Sequence, residues 1–180
     1  MDAISITGLQ GTGKTTLAEA LGLALDAVVF SRDPLMDVLI AGGIPLESEA
    51  AAVVGAHGVG QLGYELQTAL LREQLRMGRS VVLECVVGRE IRAEWERVAV
   101  DQGARYWLID TICSDVALHR RRFTDRAPIQ RGDWVLSWET VEANRDRYRV
   151  HPDAAFVADS ALPLAANVNA IVDLMRSGTS

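Results

Sequence analysis

Apolar and β-branched runs alternate along this chain with segments of helical period, and that alternation is its first structural signal. Ala3–Thr7 predicts a strand, a glycine-rich turn follows, and a helix runs from about Gly13 to Leu25. Ala27–Ser31 predicts a second strand, and Pro34 suits the first turn of a short helix behind it. Leu62, Leu66 and Leu70 recur at helical spacing between Gln61 and Met77. Ser80–Val87 is the most apolar run, as expected of a strand covered on both faces. Ile91, Trp95 and Val98 mark the next helix, and Arg105–Ile112 a fourth strand. Ala154–Val157 predicts a fifth strand, and Leu164, Val168, Ile171, Val172 and Met175 share a face of a last helix. Residues 42–60 are rich in Gly and Ala and show little pattern. The expectation is an α/β fold, a five-stranded parallel sheet sandwiched by helices, in one domain over residues 1–180.

Composition narrows the function classes. A chain of 180 residues buries about 70% of its unfolded surface and needs no disulfide or metal staple. Cys85 and Cys113 stand alone, without C-x-x-C spacing, and read as structural thiols. No stretch approaches the ~20 apolar residues of a membrane helix. Met1-Asp2-Ala3 lacks the basic flank of a signal peptide, so a cytoplasmic location is expected. The net charge of −6 counts against nucleic acid as the partner. Oligomeric state is not readable. Seventeen of the 18 basic residues are arginine, and the single lysine, Lys14, stands inside a motif.

Gly8-Leu9-Gln10-Gly11-Thr12-Gly13-Lys14-Thr15 fits G-x-x-x-x-G-K-[ST] at every fixed position, between a strand and a helix. Gly8 lets the chain leave the strand, and Gly11 and Gly13 let backbone N–H groups close on phosphate oxygens. The helix N-terminus adds its positive end. Gly8, Gly11, Thr12, Gly13, Lys14, Thr15 and Thr16 are therefore the candidate nucleotide contacts. Lys14 is expected on the β- and γ-phosphates and the Thr15 hydroxyl on Mg²⁺.

Beyond this cradle, Arg32-Asp33 follows the second strand, where an α/β sheet lines its ligand crevice. Asp33 there can act as a general base; followed by Pro34, it is equally a good helix N-cap. Glu84 interrupts Val81-Val82-Leu83-Glu84-Cys85. A carboxylate so placed is costly unless paired or at the strand mouth, which suits Mg²⁺–water contact or substrate hydrogen bonding. Eight arginines fall between Arg120 and Arg149. Arg122 and Arg126, four apart, are expected to share a helix face that closes on the transferred phosphoryl group. Arg89 and Arg92, after the third strand, are weaker substrate candidates or surface residues of a helix start. His57, His119 and His151 show no zinc spacing. Trp134 and Trp138 flank a helix start and suit packing more than chemistry.

These pieces in this order resemble the small bacterial P-loop kinases of the AAA-type "predicted kinase" group, relatives of polynucleotide kinase and zeta-toxin-like kinases. The resemblance rests on residues 8–16, S-R-D at 31–33, V-V-L-E at 81–84, Arg122 and Arg126, Trp138 to Val141, and Tyr148. It implies a five-stranded parallel core, an arginine-bearing lid at roughly 115–137, ATP·Mg²⁺ as donor and a hydroxyl acceptor. It maps the general base of the polynucleotide-kinase branch onto Asp33, beside Arg32, and an adenine-cupping loop onto Ser160–Pro163. Two departures set the chain apart from that branch: Met36 stands where a basic residue is usual, and Glu84 where Asp is usual.

The function expected is transfer of the γ-phosphoryl group of ATP to a hydroxyl of a small molecule: a metabolite, a nucleoside or an antibiotic. The alternatives are a 5′-hydroxyl polynucleotide kinase and a non-catalytic ATP-binding switch or slow ATPase. The acceptor, the choice between adenine and guanine, and the choice between Asp33 and Glu84 as base stay open at this level.

Overall fold

The apolar run near the N-terminus becomes the centre of a parallel sheet. The computed structural model describes residues 1–44, 59–126, 130–131 and 134–178. In chain order its elements are β1 (Asp2–Gly8), α1 (Lys14–Leu25), β2 (Val28–Ser31), α2 (Arg32–Ala41), α3 (Val59–Arg76), β3 (Val81–Glu84) and α4 (Arg89–Asp101). They continue as β4 (Arg105–Ile112), α5 (Val116–Thr124), β5 (Gln130–Arg131), β6 (Trp134–Val135), α6 (Trp138–Arg147), β7 (Phe156–Asp159) and α7 (Leu164–Ser177). Five strands form one sheet in the order β2-β3-β1-β4-β7, every pair parallel. The expected α/β class and five-stranded parallel sheet are what the chain folds into.

Side chains alternate across a strand, so each core strand feeds two layers. Ala3, Val81 and Leu83 pack with Leu71 and Leu75 of α3 and Trp95 of α4. Ile4, Ile6, Val82 and Ile109 pack on the other side with Leu17 and Leu21 of α1 and Ile171 of α7. That two-sided burial is why the strands read as continuous apolar runs. The one polar tip of the Trp95 ring is satisfied, its Nε1 donating to Thr68 Oγ1 at 2.8 Å.

Three expected boundaries move. The run from Ser80 to Val87 is strand only from Val81 to Glu84, because its neighbour β2 ends at Ser31, opposite Glu84. The last strand lies two residues later than its apolar pattern suggests, since Phe156–Asp159 pairs with Ile109–Ile112. Asp33 is not an N-cap: Ser31 holds that place, and Asp33 sits within the first turn of α2, where the helix dipole favours its carboxylate. Most of the patternless stretch, residues 45–58, lies outside the described residues.

The connection from β1 to β2 passes over β3, and that from β3 to β4 returns over β1. Chains leaving the carboxyl ends of β1 and β3 therefore diverge, and the crevice opens there. Beside it lies the arginine-rich segment: α5, the antiparallel β5–β6 ladder and α6. Leu136, Trp138 and Val141 hold it together against Phe123. Trp138 is thus a packing residue, buried at the start of α6.

Candidate nucleotide site

The turn after β1 is pressed against the end of β4. Gly8 has φ 140°, and a Cβ there would lie 2.2 Å from Thr111 Oγ1 and 2.4 Å from the Thr111 carbonyl. Both conformation and space demand glycine. Thr12, buried, turns its hydroxyl inward to the Leu9 carbonyl at 2.7 Å, and lies 2.7 Å from Thr111 Oγ1. Thr111 in turn donates to the Thr7 carbonyl at 2.9 Å. The Thr12 side chain therefore shapes the turn from behind. Gly13, at φ 86°, caps α1. Thr15 and Thr16 are exposed on the first turn of that helix.

Lys14 reaches back over the turn, its Nζ donating to the Leu9 carbonyl at 2.9 Å. Burial pulls its pKa below the usual lysine range, against the carboxylates of Glu84 and Asp33. Glu84 ends β3 and is buried. Burial raises its pKa, opposed by the Lys14 charge and by hydrogen bonds from Ser31 and Thr15. Thr15 Oγ1 and Glu84 Oε2 are 3.4 Å apart. A lysine, two carboxylates and a hydroxyl thus meet where β1 and β3 part.

A cleft of about 200 Å³ opens over them, lined by Gln10, Lys14, Thr15, Asp33, Glu84 and Arg126 among others. Asp33 acts on Arg126 across it: burial lowers the Arg126 pKa and the Asp33 charge opposes that shift. Arg126 stacks over the Phe123 ring at 4.8 Å, and its Nη2 is buried without a hydrogen-bond partner among the described residues. Arg32, expected on substrate, is committed elsewhere although it also lines this cleft. Its Nη2 donates to the Gly60 carbonyl at 2.8 Å, and its guanidinium lies 4.0 Å from the Tyr64 ring centroid. Arg32 so ties the first turn of α2 to α3, which places Asp33. Gly60 and Gly63 admit it, because a Cβ at either would come within 3.3 Å of its side chain.

The shared face expected of Arg122 and Arg126 does not form. α5 ends at Thr124, so Arg126 leaves the helical period and turns toward Asp33. Arg122 points the other way, its Nη1 donating at 2.9 Å to both the carbonyl and the Oγ of Ser160. There it lines a second pocket of about 180 Å³, with Gly13, Thr16, Ser160 and Asn167, on the α1–β7 side of the turn. Arg89 does neither: it is exposed at the start of α4 and lines no described pocket. Its neighbour Arg92 is buried and bonded to Asp153 at 2.7 Å.

Sequence reasoning passed over two buried polar groups around the cradle. Asp110, fully buried, accepts from the Tyr148 hydroxyl and from the His151 amide. It interrupts an apolar strand just as Glu84 does, and that signal was available. His119, 1% exposed, hydrogen-bonds the Gln10 carbonyl; nothing in the sequence marked it. Among the described residues no cluster of His, Cys, Asp and Glu suits a metal held by protein alone, and no helix is long and apolar enough to cross a membrane.

A family model described as an AAA domain matches residues 4–151. A putative kinase from Chloroflexus aurantiacus is 20% identical, with a TM-score of 0.70 over 99% of this chain and 97% of that one. A gluconokinase from Sinorhizobium meliloti is 17% identical, with a TM-score of 0.59 over 99% and 98%. The APS kinase of Mycobacterium tuberculosis, solved with AMPPNP and APS, is 16% identical, with a TM-score of 0.58 over 97% of each chain. Curated proteins give no match. At these identities the likeness is one of fold, and the fold is that of P-loop kinases.

Proposed function

The chain belongs to the AAA-domain family that its residues 4–151 match, and from that premise we propose that it is an ATP-dependent phosphotransferase acting on a hydroxyl of a small molecule. The observation that carries the reading is the meeting of Lys14, Asp33, Glu84 and Arg126 in one cleft at the mouth of the sheet. A gluconokinase and an APS kinase, both acting on small molecules, share the fold.

The residues suit the groups this chemistry needs. The turn keeps its shape because Gly8 and Gly13 lack side chains that would meet Thr111 and Ser160, and the buried Nη2 of Arg126 has no hydrogen-bond partner among the described residues, so an acceptor in the cleft would suit it. The Thr15 hydroxyl and Glu84 carboxylate form an oxygen-only set of the kind hard cations prefer. When bound, magnesium supplies charge neutralisation to the phosphate oxygens.

Asp33 takes the proton of the attacking hydroxyl, because it stands exposed on the cleft wall while Glu84 is buried beneath. Lys14 and the amides of the turn hold the phosphates, and Arg126 offsets charge that grows on the transferred group. Arg122 with Ser160 borders the neighbouring pocket, which suits the nucleobase. Catalysis comes mainly from positioning and from fixed charges.

The test is ADP release from ATP·Mg²⁺ across nucleosides, sugars, sugar acids, aminoglycoside-type antibiotics and 5′-hydroxyl oligonucleotides. One small-molecule acceptor that raises release above the acceptor-free rate supports the reading. Stimulation by oligonucleotides alone would replace it with a polynucleotide kinase, and a flat panel with tight ATP binding with a switch. Glu84→Gln is expected to raise the Mg²⁺ concentration needed for half-maximal release while nucleotide affinity without metal is retained; an unchanged Mg²⁺ requirement would remove Glu84 from the metal site.

A further inference from the structure

We propose that His119 is a positioning residue for the phosphate cradle: its hydrogen bond to the Gln10 carbonyl sets the direction of the Gly11 amide. This rests on the nucleotide-binding reading above. His119 Nε2 lies 2.7 Å from Gln10 O. A carbonyl only accepts, so Nε2 carries the proton and donates. The Nε2–Cδ2 edge of the ring faces the turn, these atoms 3.1 and 3.0 Å from where a Gly11 Cβ would be.

The consequence follows from peptide planarity. None of the described peptide bonds is cis, and in a trans peptide the C=O of one residue and the N–H of the next point in opposite directions. Holding the Gln10 carbonyl toward α5 sends the Gly11 N–H the opposite way. Gly11 has φ 84°, and glycine accepts either sign of φ, so the Gln10–Gly11 peptide can turn over at little steric cost. A turned peptide would aim a carbonyl dipole where the cradle needs a donor. His119 supplies the lock that glycine cannot.

The lock is itself held. Trp138 packs edge-on against the His119 ring at 5.2 Å, and Phe123 packs on Trp138 at 5.8 Å. Nδ1 is buried with no partner, so the contact with Gln10 is the ring's one hydrogen bond among the described residues. Burial lowers the pKa of the imidazole, the Gln10 bond opposes that shift, and the charges of Arg145, Lys14 and Arg126 add to it. A neutral ring with its proton on Nε2 is the form this site keeps.

The experiment measures ADP affinity by calorimetry for the full chain, His119→Leu and His119→Gln, with thermal melting of each. Both variants lose the ring and its contact with Trp138; only glutamine keeps an N–H at similar reach. Leucine is expected to weaken ADP binding about tenfold, the size of one lost hydrogen bond, and glutamine to recover most of it at a similar melting temperature. The Gly11 amide signal in a nitrogen–proton spectrum should move in the leucine variant and return with glutamine. Equal affinity in leucine and wild type, or equal loss in leucine and glutamine, would overturn the role of His119. Should leucine not fold, His119→Asn, whose amide is one carbon too short, takes its place against glutamine with the same two outcomes. Wild-type protein that binds no nucleotide would instead sink the function proposed above, and His119's role with it.

Discussion

Lys14→Ala is expected to lower phosphoryl transfer by roughly 10²–10³-fold, the scale of removing one fixed charge from a developing anion, and to weaken ATP binding as well. Lys14 is the only lysine in the chain and reaches across the turn to the Leu9 carbonyl. Burial lowers the pKa of its ammonium, and the carboxylates of Glu84 and Asp33 oppose that shift. The change also strands Glu84, whose raised pKa is opposed chiefly by the Lys14 charge. Without that cation burial acts on Glu84 with less opposition, its pKa rises further, and the carboxylate becomes a poorer partner for a cation. Calorimetric ADP and ATP binding, with ADP release at saturating acceptor, reads both effects. Transfer at the wild-type rate would exclude Lys14 from the site.

Asp33→Asn separates chemistry from binding. General-base catalysis contributes about 10²–10⁴-fold, and acceptor-dependent release should fall by that order. Nucleotide affinity should hold or tighten, because the change removes a negative charge that acts on Lys14 and Arg126 in the cleft meant for phosphates. Asparagine keeps the size of the side chain at an exposed position in the first turn of α2, so folding is little disturbed. A mutant that loses affinity and turnover together would make Asp33 a structural residue, and one with full transfer would pass the base role to Glu84.

The second prediction depends on a detail that no spacing rule contains. Asp33 faces the cleft because Arg32 turns aside to Tyr64 and Gly60 of a helix that begins 27 residues after Arg32. Read along the chain, Arg32 and Asp33 form a pair that would meet a ligand together. In three dimensions one anchors the helix and the other lines the site. Arg122 and Arg126 diverge for a comparable reason: four residues apart means one face only while the helix continues, and α5 stops at Thr124.

What the sequence alone determined is the part governed by local rules. Backbone amides gather around an anion where glycines permit positive φ at the start of a helix, so Gly8 to Thr15 reads as a candidate phosphate cradle without reference to the rest of the chain. Doubly covered strands must be apolar at successive positions, so the parallel sheet and its two helical layers are legible too, with ends displaced by up to three residues. Only the tertiary structure decided which side chains share the cleft. Glu84 meets Thr15 because β3 lies beside β1, and His119 meets Gln10 across 109 positions of chain. Arg122 and Arg126 part at a helix end, and Arg89 is left on the surface. Such juxtapositions depend on strand order and helix packing, which no window of sequence contains.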